Sequence, residues 1–326
     1  FYKAGAFMNN AHMQQNYIST NYTMAARDVV DNGMNVAGAL LGQQVIDGKL
    51  KYSMGCNGDT AMDAIDLMKA REQKDGKPTL TLGEINGNLP FMYGDAVGDP
   101  SIVDAVLENP EIESRLFNVP REPVVTADYM IGLNASTLLK DDGTLQVGIG
   151  SLGDAVAYGL ICRHHHNQDY KGVVERAGLL ETDKALIDEW GGLDTFDKGL
   201  YGSTEMFVDG FLQLYKNGIM KRRCYDNIHI QRLVHDEVIK DGVVTPSALV
   251  ALIKNKSIHR KMKQREFDML VEFGVFRAGL VYDNGFIVDG DKRYSVDFNS
   301  ADNIKAVAQN CMGDKLKHGY WIHAGF

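Results

Sequence analysis

Helical and strand patterns alternate along most of this 326-residue sequence, and the alternation constrains the fold more than any other feature. The segment 60–72 carries apolar residues at helical spacing, and the β-favouring run 79–82 follows it. Thr126 can then begin a helix over 127–139, and residues 145–147 return to a strand pattern. Sequences with this order form mainly parallel sheets that helices cover. We therefore predict an α/β fold class.

Proline pairs and turn sequences predict further elements. The Asp-Pro pair at 99–100 places a capping residue before a proline, which predicts a short helix over 101–108. The Thr-Pro pair at 245–246 predicts another helix through Asn255. Beyond it, Asn-Gly and Asp-Gly turns separate three short strand-like segments that we expect to pair antiparallel: 280–282, 286–288 and 293–296.

The length of the chain suggests about two domains. The region 124–126, just after the irregular stretch 117–123, is the candidate domain boundary, so we predict domains at 1–123 and 124–326. The chain begins at Phe1 without an initiator methionine and ends at Phe326, directly after an apolar run. We therefore expect it to be part of a longer protein, with both domains incomplete.

Charge and composition exclude several classes of protein. The net charge is −9, with no basic stripe, which argues against a nucleic-acid partner. No run of about eighteen apolar residues is present, so we expect no membrane span. The four cysteines lie far apart without a CxxC pair, which indicates reduced thiols in a cytoplasmic protein.

A glycine-rich turn follows the strand pattern at 145–147. Glycines at 148, 150 and 153 allow close approach of the backbone to a ligand and precede a helix predicted to run to about Arg163. The main-chain N–H groups of such a turn can hold a phosphate or stabilise an oxyanion. The spacing resembles a dinucleotide motif, but three histidines at 164–166 stand about where its acidic ribose ligand would be expected. A purely structural turn is the alternative.

Glu205 stands between a small-residue turn and an apolar helix that we predict to run to about Asn217. A carboxylate near a water-poor glycine pocket can act as a nucleophile or a base. The alternative is structural: Ser203 or Thr204 caps the helix, and Glu205 favours its dipole.

Three other groups of residues are weaker candidates. We expect the histidines at 164–166 to be a solvated, metal-free tract, because adjacent residues at a helix end point in different directions. The basic run 221–223 is interpreted as a solvated helix end, with attraction of phosphates as the alternative. Trp190 and Trp321 are interpreted as core or partner contacts.

Together the two stretches LQVGIGSLGDAV and GLYGSTEMFVDGFLQLYKNGI resemble the acetyl-CoA hydrolase and transferase family, the family I CoA-transferases. The resemblance covers residues 128–226 and, more loosely, LPFMYGDAV upstream. It implies two similar domains with the site between them, and Glu205 as the catalytic residue. It also implies that Leu152 donates its main-chain N–H to an oxyanion. Acyl-CoA would bind at a turn formed by Gly148, Gly150, Ser151, Leu152, Gly153, Asp154 and Ala155.

The sequence departs from the family pattern at two places. The interval 163–198 is long and polar, as an insertion would be. Family members also carry a glycine-pair motif downstream of the glutamate, whereas Gly191 and Gly192 precede Glu205 and are interpreted as a helix stop. We expect the missing motif to lie beyond Phe326.

The function implied by the resemblance is transfer of coenzyme A between an acyl-CoA, acetyl-CoA or another short-chain thioester, and a small carboxylate. Coenzyme A would be a substrate, with no permanently bound cofactor and no metal. We expect a cytoplasmic homo-oligomer. Acyl-CoA hydrolysis on the same scaffold and a non-catalytic acyl-CoA-binding or subunit-binding module remain alternatives.

Overall fold

A computed structural model describes residues 8–56, 58–113, 115–116, 122–204 and 206–324. Within these residues the helices are α1 Ala11–Gln15, α2 Ala25–Asp31, α3 Gly58–Asp75, α4 Thr126–Thr137, α5 Ser151–His165, α6 Asn167–Arg176, α7 Leu179–Thr182, α8 Lys184–Trp190, α9 Asp209–Lys216, α10 Ile228–His235, α11 Pro246–Lys254, α12 Gln264–Glu272 and α13 Ala301–Asn310. The strands are β1 Val36–Ile46, β2 Lys49–Ser53, β3 Leu80–Ile85, β4 Val97–Gly98, β5 Ala105–Leu107, β6 Thr144–Gln146, β7 Tyr201–Thr204, β8 Cys224–Tyr225, β9 Val281–Asp283, β10 Phe286–Asp289, β11 Lys292–Ser295, β12 Gly319–Tyr320 and β13 Ile322–Ala324.

The N-terminal part of the chain forms a mixed sheet in the order β4-β2-β1-β3-β5. Strands β1, β3 and β5 run parallel, whereas β2 pairs antiparallel with β1 and the edge strand β4 pairs antiparallel with β2. Ile65 of α3 joins a core with Leu41 and Val103 on one face of this sheet. The contact is close at Gly83, where a Cβ atom would lie 2.3 Å from a methyl carbon of Leu41.

A second sheet carries the candidate site. Its strands lie in the order β13-β7-β6, and both neighbouring pairs run parallel. Phe211 of α9 packs over Gly202 of β7, beside Ile322 of β13. Helix α5 packs against α9, and its Leu160 is buried in the same core. The helices therefore fix the strand ends from one face of the sheet.

The third part of the structure is a cluster of helices with an antiparallel meander. Leu249 of α11, Leu270 of α12 and Phe276 are fully buried in its core. Strand β10 pairs with β9 and with β11, as the sequence predicts. Asn284 and Gly285 form the first turn with φ angles of 45° and 86°, a conformation that asparagine and glycine tolerate better than other residues.

One predicted helix is wrong. Residues 101–108 form the end of a 3-10 turn, Pro100–Ile102, and then strand β5. Asp104 accepts hydrogen bonds from the main-chain N–H and the hydroxyl of Thr81, which hold this segment against β3. Tertiary pairing therefore overrides the local signal of Asp99 and Pro100.

The α/β class is confirmed, with parallel pairs in two sheets. The division after residue 123 and the similarity of two domains stay predictions, and residues 117–121 of the irregular stretch before the boundary lie outside the described residues. None of the described helices combines the length and the apolar character needed to cross a membrane.

Candidate active site

The parallel register of β6 and β7 brings the two sequence motifs to one edge of the sheet. Gln146 pairs with Ser203, so the glycine turn that follows β6 and the segment that follows β7 begin side by side. The buried hydroxyl of Thr204 lies 3.0 Å from the carbonyl oxygen of Val147 and 2.6 Å from that of Met206. Its single proton can donate to either carbonyl, which fixes the end of β7 beside the start of the turn.

Glu205 lies outside the described residues, but both of its neighbours in the chain are described. The predicted small-residue turn before it is strand β7, and the apolar helix begins later than expected, at Asp209. Val208 is the N-cap of that helix. The capping role considered for Ser203 and Thr204 is therefore wrong, because the Thr204 hydroxyl contacts carbonyl oxygens at the end of β7.

The glycines of the turn have different structural roles. A Cβ atom on Gly148 or Gly150 would have no neighbour within 4 Å, but Gly150 has a φ of +134°, which strains other residues. A Cβ atom on Gly153 would lie 2.6 Å from the carbonyl oxygen of Gly148 and 2.7 Å from the Val147 side chain. Gly153 therefore allows the turn to fold back on itself, whereas Gly148 leaves space beside the backbone.

The start of α5 presents main-chain N–H groups at this turn. The first bond of the helix runs from Asp154 N to Gly150 O over 3.2 Å, so the N–H groups of Ser151, Leu152 and Gly153 precede it. Such groups stabilise negative charge that develops on an oxygen atom. Because the exposed Asp154 carboxylate belongs to the same helical turn, these N–H groups suit an oxygen with partial negative charge better than a fully charged phosphate.

Two residues of the predicted binding set differ in their surroundings. The Leu152 side chain is 48% exposed, so its apolar surface is available at the edge of the turn. Ala155 is buried, and a Cβ atom on Gly132 of α4 would lie 2.5 Å from its main chain. Ala155 is therefore a helix-packing residue that positions α5, and its participation in ligand binding stays a prediction.

A cleft of about 870 Å³, which the sequence did not indicate, reaches the same sheet edge. Ile322, His323 and Ala324 of β13 line it, and Ala324 pairs with Thr204. The apolar residues near the end of the chain did not predict a strand there. Their place beside β7 depends on long-range pairing that local sequence does not reveal.

The histidine tract is only partly solvated, which corrects one expectation. His165 and His166 are exposed, but His164 is partly buried and its Nδ1 accepts a hydrogen bond from Phe196 N over 3.1 Å. Burial lowers the pKa of His164, and the charges of His165 and Lys221 lower it further. In the described part of the chain, no cluster of three or more His, Cys, Asp or Glu residues is arranged to hold a metal ion.

The basic run 221–223 is not a solvated helix end, because α9 ends at Lys216. Lys221 Nζ lies 3.3 Å from the Phe196 carbonyl oxygen, and Arg222 donates to the Thr144 hydroxyl over 2.7 Å. Thr144 is the first residue of β6. Arg222 therefore lies at the amino-terminal end of β6, opposite the carboxyl-terminal end that leads into the glycine turn.

The two tryptophans have different environments. Trp190 is 64% exposed, which excludes the core alternative, and its role as a partner contact stays a prediction. Trp321 stacks on Tyr215 of α9 with ring centroids 4.4 Å apart. Trp321 also packs against the core of the second sheet and thereby helps to hold the segment that leads into β13.

Comparison with known proteins gives one curated relative and several structural likenesses, while no protein-family profile matches. The chain is 29% identical over 108 residues to a 4-hydroxybutyrate coenzyme A transferase of Clostridium kluyveri. The match covers 33% of this chain and 24% of the relative, so the chain spans about a quarter of that protein's length.

Two solved structures show low-scoring likenesses. RipA from Yersinia pestis is 19% identical, with a TM-score of 0.42 over 62% of this chain and 36% of that chain. The 4-hydroxybutyrate CoA-transferase from Porphyromonas gingivalis is 20% identical, with a TM-score of 0.41 over 71% of this chain and 47% of that chain. The curated match confirms the resemblance of this chain to the CoA-transferase family.

Proposed function

We propose that this protein transfers coenzyme A between an acyl-CoA thioester and a free carboxylate, through a thioester formed on Glu205. The substrates would be acetyl-CoA or another short-chain acyl-CoA and a small carboxylic acid. The observation that carries the proposal is the 3.0 Å contact between the Thr204 hydroxyl and the Val147 carbonyl oxygen. It ties the residue before Glu205 to the start of the glycine turn.

In the first half of the proposed reaction, a carboxylate oxygen of Glu205 attacks the thioester carbonyl. The carbon–sulfur bond breaks, which gives an acyl-glutamyl anhydride and the CoA thiolate. The thiolate then attacks the glutamyl carbonyl and releases the acyl group as a carboxylate. The glutamyl-CoA thioester retains the energy of the original bond.

In the second half, the acceptor carboxylate attacks the glutamyl-CoA carbonyl and regenerates an anhydride and the thiolate. Attack of the thiolate on the acceptor's carbonyl forms the new acyl-CoA and frees Glu205. Each addition places negative charge on a carbonyl oxygen. The N–H groups of Ser151, Leu152 and Gly153 at the start of α5 would stabilise that charge.

The curated relative supports this reaction class, since its name is that of a coenzyme A transferase. Hydrolysis on the same scaffold would begin with the same attack but end with water in place of the acceptor acid. The two reactions therefore differ in water access. The cytoplasmic setting and the homo-oligomeric state expected from the sequence also belong to this proposal.

An assay that follows both products separates the possibilities. The protein is incubated with butyryl-CoA, with and without acetate, and both acetyl-CoA and free thiol are measured. We expect acetate-dependent formation of acetyl-CoA with little free thiol. Glu205→Gln should abolish transfer, while Glu189→Gln, at an exposed position on α8, should retain it. Thiol release without transfer would identify a hydrolase, and binding without either product would identify a binding module.

A further inference from the structure

The cleft and the glycine turn lie at one edge of the sheet but on opposite sides of β7. The turn follows β6, which borders β7 on one side. Ala324 of β13, which borders β7 on the other side, lines the cleft of about 870 Å³. The carboxyl end of β7 is therefore flanked by the N–H donors of the turn on one side and by the cleft on the other.

The charged groups that line the cleft are predominantly negative. Its described lining residues include two histidines and five carboxylates but no lysine or arginine. The carboxylates come from three separate regions of the chain: Asp59 and Asp63 of α3, Asp95 before β4, and Asp226 and Glu272 from the C-terminal part.

Three of these carboxylates influence the pKa of a single hydroxyl group, that of Tyr320. Burial raises the pKa of Tyr320, and the charges of three nearby carboxylates raise it further: Asp95, Asp226 and Glu272. The 3-10 turn Gly94–Ala96 lies near this residue, since a Cβ atom added to Gly94 would be 3.9 Å from the Tyr320 hydroxyl. The negative charge is therefore concentrated inside the cleft by the tertiary fold.

Apolar side chains cover another part of the cleft wall. Met92, Met269 and Ile322 line it, and together they offer a surface for a short aliphatic chain. A second carboxylate at the far end of such a chain would meet like charges without a lysine or arginine partner among the described lining residues. Unpaired like charges in a confined site disfavour that ligand relative to its uncharged analogue.

We propose that this cleft is the pocket for the acyl chain and the acceptor acid, and that its carboxylates restrict the substrates to monocarboxylates without a distal negative charge. The inference rests on the proposed transferase function. The reacting carboxylate would lie towards the N–H groups at the start of α5, and the rest of the acid would extend along the apolar wall of the cleft. The carboxylates of the cleft would therefore discriminate only by the charge at the distal end of the acid, and we call this discrimination the charge filter.

Butyrate and succinate test this filter, because both acids have four carbons and differ mainly in the second carboxylate. With acetyl-CoA as donor at pH 7.5, we expect kcat/KM for butyrate to exceed that for succinate by at least about tenfold. High salt should reduce this ratio in the unmodified protein, since it screens exposed charges. The salt series needs no variant and therefore does not depend on correct folding of one.

A triple variant locates the filter in the cleft. Asp95→Asn, Asp226→Asn and Glu272→Gln together should lower the butyrate-to-succinate ratio to about threefold or less. The matched control removes three exposed carboxylates outside the cleft, by Asp169→Asn, Glu175→Gln and Asp188→Asn, and should keep the original ratio.

The possible failures are distinguishable. No transfer to either acid would overturn the proposed function and this inference with it. Equal kcat/KM values for butyrate and succinate in an active protein would overturn the charge filter alone. A ratio that falls as far in the control variant as in the cleft variant would also contradict it, because general charge would then explain the preference.

Discussion

The hydroxyl of Thr204 and the carbonyl oxygen of Val147 lie 3.0 Å apart, in a contact that joins the ends of two neighbouring parallel strands. Thr204 is fully buried, so water does not compete for its proton. The contact links a glycine turn to the position of the proposed nucleophile. These two motifs are about fifty residues apart in the sequence, and this register makes them adjacent in space.

Replacing Thr204 with valine should destabilise the protein by about 1–3 kcal/mol, because the Val147 and Met206 carbonyls lose a buried donor. Thr204→Ser keeps the hydroxyl and should lose only the stability contributed by one buried methyl group, about 1 kcal/mol. Urea denaturation of the three proteins measures the difference. Equal stability of the valine and serine variants would show that the hydroxyl does not hold this edge.

Two glycine substitutions separate folding from binding at the turn. Gly153→Ala should destabilise the protein by about 1–3 kcal/mol, because its Cβ atom would clash with the Gly148 carbonyl oxygen. Gly148→Ala meets no atom within 4 Å and should leave stability within about 1 kcal/mol of the original.

If acyl-CoA approaches the backbone at this turn, Gly148→Ala should nevertheless weaken its binding, by about tenfold or more. Isothermal titration with a non-hydrolysable acyl-CoA thioether measures the affinity. Gly150→Val is less informative, because the φ of +134° at Gly150 would strain the backbone as well. Unchanged affinity in a well-folded Gly148→Ala protein would contradict the assignment of the turn.

The sequence correctly predicted those helices and turns that are specified by residues close together in the chain. Helix α5 after the glycine turn, helix α11 after Thr245 and the hairpin at Asn284 all form where they were expected. Each depends on a capping position, on helical spacing or on a residue that accepts positive φ. These features involve residues close together in the sequence and require no long-range contact.

Long-range contacts decided the elements that the sequence did not predict. Strand β5 replaces a predicted helix because Asp104 bonds to Thr81. The charged cleft depends on Asp226 and Glu272 meeting Asp95, which lies in a distant part of the sequence. The sequence motifs did indicate both halves of the candidate site. Their relative position follows from the register of β6 and β7, and the sequences of such short strands specify their register only weakly.

His164 should make the stability of the protein depend on pH. Burial holds its pKa below the ordinary value of 6.5, so the folded protein favours the neutral ring that accepts the Phe196 N–H. This contribution to stability is present above pH 6.5 and is lost as the pH falls towards the lower folded-state pKa.

Urea denaturation at pH 7.5 and at pH 5.5 tests this prediction. The free energy of unfolding should fall less in His164→Gln than in the original protein. His165→Gln, which removes an exposed neighbour, should behave more like the original. The same pH dependence in all three proteins would mean that His164 titrates alike in the folded and unfolded states.

If Glu205 carries coenzyme A during turnover, as we propose, a covalent adduct should form on it. The protein is incubated with acetyl-CoA without an acceptor acid, digested at low pH and examined by mass spectrometry. We predict CoA in thioester linkage on the peptide that contains Glu205, present in Glu189→Gln and absent in Glu205→Gln. An adduct on another residue, or normal transfer by the Glu205→Gln protein, would contradict the mechanism.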